Sequence, residues 1–96
     1  MFDGQVVDTR YGPVAVEAKF VRGQLVDIKP LDYPSDNRRS LRINQSAIPE
    51  LRSEVLHAQS TAVDSISGAT YTSEGYIQSL QSALDQARAS GATTIT

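Results

Sequence analysis

The sequence predicts an α+β domain: a small antiparallel sheet of about three strands, with a fourth possible, packed on one face by two to three helices. Three observations carry this reading. Residues 14–21 alternate apolar and polar with period two, turn signals flank them at Tyr11-Gly12-Pro13 and Arg22-Gly23, and beyond Asn37 the apolar residues recur at helical spacing. Strands gathered in the first third and helices after them are the order of an α+β fold rather than of a parallel sheet. With 96 residues the chain has length for one domain and one core.

Gln5 to Arg10 is short and Val-rich and reads as the first strand. In the turn that follows, Gly12 supplies backbone freedom and Pro13 fixes φ. The second strand, 14–21, places Val14, Val16, Ala18 and Phe20 on one face and Glu17 and Lys19 on the other. Arg22-Gly23 makes a tight turn into a third strand, Gln24 to Leu31, with Val26 and Ile28 pointing one way. Pro30 cannot donate to a ladder and marks a strand end or a sheet edge. Short connections make the three an antiparallel meander.

Tyr33-Pro34-Ser35-Asp36 leaves the sheet, with Ser35 or Asp36 as N-cap of a helix from about Asn37. Leu41, Asn44, Ile48, Leu51 and Val55 fall at helical spacing. Pro49 predicts a break into helices over 37–46 and 49–58. Ser60 to Thr72 is rich in Ser, Thr, Gly and Ala, and Thr72 or Ser73 caps a last helix. Tyr76, Ile77, Leu80, Leu84 and Ala87 are its apolar stripe, Gly91 its stop, and Ala92 to Thr96 a frayed tail.

Composition narrows the function. No cysteine means no disulfide, thiolate nucleophile, zinc–thiolate site or iron–sulfur cluster, and a lone histidine, His57, cannot build a multi-His metal site. His57 reads as a surface residue suited to a helix C-terminus. Nine Lys and Arg against eleven Asp and Glu, with no basic run beyond Arg38-Arg39, argue against nucleic acid as a partner. Apolar runs reach three or four residues, far short of the roughly 20 that span a bilayer. No basic, then apolar, then small-residue pattern opens the chain, so no signal peptide is expected in these residues. No glycine motif for a nicotinamide cofactor is present either, which favours a carrier over an autonomous oxidoreductase.

The informative stretch is Asp64-Ser65-Ile66-Ser67-Gly68-Ala69-Thr70-Tyr71-Thr72-Ser73, a hydroxyl-dense loop feeding a helix N-terminus. Outward-pointing amides and the helix dipole suit a bound anion there, and Gly68 and Ala69 let a bulky ligand or a modifying enzyme approach the backbone. Composition alone also allows a capped turn and nothing more.

The run Asp64 to Thr70, DSISGAT, resembles the flavinylation motif of FMN-binding domains, as carried by the C subunit of the sodium-pumping NADH:quinone reductase and the G subunit of the Rnf complex. A DTRYGPV-like opening (Asp8 to Val14), a YPSDNRRS-like segment (Tyr33 to Ser40) and the terminal SGATYTS extend the likeness more loosely over most of the chain, which is most similar to small actinobacterial FMN-binding proteins. The resemblance implies FMN as cofactor, joined through its phosphate to the Thr70 hydroxyl by a separate, Mg-dependent flavin transferase that uses FAD as donor. A neutral alcohol needs a base or metal to react, and Asp64 is the only carboxylate in the loop, so self-modification is not expected. Asp64 then serves transferase recognition or an Asx turn.

Further site residues follow from the resemblance. Ser67 and Thr72 bond the phosphate or cap the helix, and Tyr71 covers the ribityl chain. Tyr11 and Tyr33 stack on the isoalloxazine or pack structurally, while Pro34 and Ser35 line the ring edge. Arg38 and Arg39 neutralise phosphate or reduced flavin, or are solvated helix charge; Asn44 on the apolar stripe bonds flavin or backbone. The flavin is expected in a groove between Ser67–Thr72 and the segment from Tyr33. The leading function is an FMN-binding electron-transfer module with a membrane redox partner, extracytoplasmic or membrane-associated in the full-length protein. A non-covalent FMN carrier or sensor, and a flavin-free interaction domain of the same fold, are the alternatives.

Overall fold

A computed structural model describes residues 1–10, 12–33, 38–63 and 69–93, less the side chains of Arg39 and Ser40. The described elements are β1 (Phe2–Asp3), β2 (Val7–Thr9), β3 (Gly12–Val21), β4 (Gln24–Asp32), α1 (Arg38–Ala58) and α2 (Thr70–Ala89). All strand pairs are antiparallel, and β3 is central. Its one side carries β1 at Ala18 and Glu17 and then β2 at Val14 to Gly12, with the register slipping by one residue between them. Its other side carries β4, from Ala15↔Asp32 to Val21↔Gln24. The expected first strand is thus real but shorter, and a two-residue strand precedes it as the fourth.

Two strand expectations need correcting. Gly12 and Pro13 lie in β3 rather than in the turn. Pro13 is tolerated because there β3 has only β2 beside it, β4 ending opposite Ala15. In β4, Val26 and Ile28 do not share a face: a register shift between Lys19↔Asp27 and Phe20↔Leu25 leaves Val26 as the extra residue of a bulge. Leu25 and Ile28 are consequently buried, and Val26 is 41% exposed. Pro30 sits, as expected, in an edge strand.

The helix expectation at Pro49 fails: α1 runs unbroken through it. Gln45, whose carbonyl lies four residues before Pro49 and cannot receive its missing N–H, and Pro49 itself are both exposed, on the solvent side of the helix. Asn44, Ala47, Ile48, Leu51 and Val55 are buried on the opposite side and hold both halves to one core. The N-cap expected at Ser35 or Asp36 lies outside the described residues. At the other end Gln59 adopts a left-handed φ of 52°. Its side-chain Oε1 accepts the Leu25 N–H at 2.9 Å, and its Nε2 donates to Leu25 O and to Leu56 O, each at 2.8 Å. One amide thereby ties the end of α1 to the bulged edge of β4.

The core lies between one sheet face and the two helices: Val14, Val16, Ala18, Leu25 and Ile28 meet Ile48, Leu51 and Val55 from α1 and Tyr76, Leu80 and Ala83 from α2. Phe2 and Phe20 close it with an edge-to-face contact, centroids 5.9 Å apart. The tail departs from the fray expected of it as far as Thr93, which is buried and donates from Oγ1 to Gly23 O at 2.6 Å.

Candidate functional site

Both helices run in the direction of β3, and this positions the candidate site. Along α2, Gly75 lies against Thr9 and Val14, Ser79 accepts a bond from the Val16 N–H, and Thr93 beyond the helix reaches Gly23. Along α1, Arg52 binds Asp27 and Gln59 binds Leu25, so the helix descends beside β4 towards the Arg22-Gly23 turn. The N-termini of α1 and α2 therefore share the end of the sheet where β2 turns into β3 and β4 finishes at Asp32. Tyr33, half-buried against the core, follows Asp32 at that same end.

Sequence-distant candidates are thus gathered: Tyr33, the first residues of α1 and Ala69 to Thr72. Tyr11, Pro34, Ser35, Asp64, Ser67 and Gly68 lie outside the described residues, as does the Arg39 side chain. Asn44 is buried within α1, 2% exposed.

The start of α2 departs from the cap expected at Thr72 or Ser73. The helix begins at Thr70, with Ala69 as N-cap and, among the described residues, no side-chain cap bond. Ser73 donates to Ala69 O from both its N–H (2.9 Å) and its hydroxyl (2.8 Å), closing the first turn from inside. Thr72 and Ser73 are buried, whereas Thr70 and Tyr71 are exposed. A helix directs its first amides out of its end, and no acidic residue stands in the first turn to repel an anion. Of the Ser and Thr residues in this turn, Thr70 is the one presented to solvent, at a helix end with no acidic residue in its first turn. A phosphate ester fits there: the residue is accessible, the adjacent Ala69 adds no competing polar group, and the dipole favours negative charge.

A family model described as FMN-binding domain matches residues 10–85. The chain belongs to the FMN-binding domain family. Comparison with curated proteins gives no match. As an FMN-binding domain the chain takes FMN as its cofactor, and the exposed Thr70 at the start of α2 lies inside the matched region.

One residue that positions this end escaped the sequence reading. A Cβ on Gly75 would stand 2.8 Å from Thr9 Cγ2 and 3.1 Å from Val14 Cβ, so only glycine lets the second turn of α2 press on the β2–β3 pair. The available signal was a glycine inside a helical pattern.

Proposed function

We propose that this FMN-binding domain is an electron-transfer module whose flavin is carried on Thr70. The observation supporting the reading is the exposed Thr70 at the start of α2, directly after Gly68-Ala69 and beside a helix end suited to phosphate. Thr70 Oγ1 attacks the FMN-side phosphorus of FAD. An O–P bond forms, the pyrophosphate bridge breaks, AMP leaves, and the hydroxyl proton passes to a base on the transferase. The chain presents the nucleophile, and the separate flavin transferase supplies activation.

Once attached, flavin supplies reversible electron uptake. The chain's own residues orient it: the start of α2 holds the phosphate, Tyr33 offers an aromatic wall and the arginines at the start of α1 offer positive charge. A cofactor that cannot dissociate suits repeated exchange with a redox partner, which we place at a membrane, with the full-length protein on its outer side.

Co-expression with a flavin transferase tests this. Intact mass should rise by FMN less one water, and the yellow colour should survive unfolding; Thr70→Ala should lose both. Flavin that is released on unfolding would instead identify a non-covalent carrier. A colourless wild-type chain in the presence of active transferase would overturn the flavin reading.

A further inference from the structure

We propose that the outer edge of β4 is a strand-pairing edge held shut by the Gln59 side chain, and that this clasp keeps two copies of the chain from joining through it. The closure is independent of flavin. Among the described residues, β4 is nine residues long and pairs only with β3, so its far side is a sheet edge. Such an edge offers N–H and C=O groups to any second strand. Here it also carries exposed apolar side chains, Val26 at 41% and Leu31 at 45%.

The register decides which residues face outward. Val16 gives its N–H to Ser79 and its carbonyl accepts the Gly4 N–H, so both groups turn away from β4. Antiparallel pairs alternate between those that exchange bonds and those that do not. Pro30, opposite Val16, and Ile28, opposite Ala18, therefore turn their own backbone groups outward. Leu25 does the same beyond the bulge.

Each of these three positions is closed to a second strand as a donor. Gln59 Oε1 accepts the Leu25 N–H at 2.9 Å, and Gln59 Nε2 donates to Leu25 O at 2.8 Å. That is the pair of bonds a neighbouring strand would make. Asp27 Oδ1 accepts the Ile28 N–H at 2.9 Å and is itself held by Arg52, through Nε at 2.9 Å and Nη2 at 2.7 Å. Pro30 has no N–H. Of the three closures, the Gln59 amide is the one that fills both the donor and the acceptor of its position.

The edge itself suits a second copy. Antiparallel pairing about Ile28 would set Asp27 opposite Lys29 of the other copy, twice over, and opposite charges facing each other across a strand pair attract.

Analytical ultracentrifugation of the full chain tests this. Wild type should sediment as a monomer. Gln59→Met keeps the stem and removes the amide, and should self-associate. Adding Pro30→Val restores a second donor and should tighten that association several-fold. Lys29→Gln, placed on either background, should weaken it several-fold by removing the charge that faces Asp27. Far-UV circular dichroism establishes which variants are folded, and if the double variant is not, Gln59→Met alone decides. Folded variants that stay as monomeric as wild type would overturn the proposal, as would an association indifferent to Lys29→Gln. A wild-type dimer that Lys29→Gln weakens would equally overturn it, because the edge would then be open already.

Discussion

Tyr76 brings its whole side chain into the core, and its hydroxyl finds no hydrogen-bond partner among the described residues. Burial pushes its ionisation far above the ordinary phenol range. An unpaired buried hydroxyl costs about 1–3 kcal/mol, so Tyr76→Phe should raise the urea midpoint, and a lowered midpoint would show that the oxygen is satisfied in solution. Glu17 makes the opposite kind of case, on the surface. It stands across from Asp3 in the sheet, and the hydrogen bond shared with that second carboxyl raises its pKa, with desolvation and repulsion adding to the effect. A raised acid pKa means that the folded state holds the proton more tightly, so this pair strengthens the fold as pH falls through the raised value and weakens it once both groups are ionised. Glu17→Gln should therefore gain stability near neutral pH and flatten this part of the pH profile; equal profiles for variant and wild type would show that the pair contributes nothing. The carboxylate of Asp27 behaves conventionally: the Arg52 bond, then the Ile28 N–H, hold its pKa low, and its contribution is lost as pH falls through that low value. Both partners are exposed, which limits the pair to about 0–1 kcal/mol.

Among the elements, strand β3 was the most legible, because Val14, Val16 and Ala18 alternate and each is buried. The elements that diverged did so where tertiary contacts overrode a local rule. Pro49 breaks the helical ladder locally, yet burial on the opposite side keeps α1 in one piece. Pro49→Ala should accordingly stabilise the chain, as it restores a bond to the Gln45 carbonyl without disturbing the core; a loss would mean that the proline is needed where it stands. The bulge at Val26 was illegible in the local pattern, and the side chain that bonds the backbone beside it, the Gln59 amide on Leu25, is 34 residues away. A comparable long-range bond joins Ser79 to the central strand. Its Oγ accepts the buried Val16 N–H at 3.0 Å, beside the Val16 carbonyl, which accepts the Gly4 N–H at 2.8 Å. Ser79→Ala leaves that donor unsatisfied at about 1–3 kcal/mol, which equilibrium unfolding should resolve. Turn chemistry offers the reverse. Arg22 holds φ at 54° before Gly23 at 81°, a geometry that asparagine tolerates better, so Arg22→Asn should gain up to about 1 kcal/mol.

At the scale of the molecule, two helices running with the central strand bring both of their positive ends to one end of the sheet. Neither helix has an acidic residue in its first turn, and α1 opens on Arg38-Arg39, a placement that the helix dipole disfavours by about 0.3–1 kcal/mol and that a nearby anion offsets. The motif Asp64 to Thr70 was readable as a string of residues. What the string could not show is which of Thr70, Thr72 and Ser73 faces water. That depends on the helix starting at Thr70 rather than after Thr72, so that Thr72 and Ser73 turn inward. Gly75 holds this orientation by letting α2 close on Thr9 and Val14. The most direct measurement is fragmentation mass spectrometry of the flavin-bearing peptide from the transferase-loaded chain. The flavin phosphate should sit on Thr70 alone; its appearance on Ser67, Thr72 or Ser73 instead would refute Thr70 as the carrier.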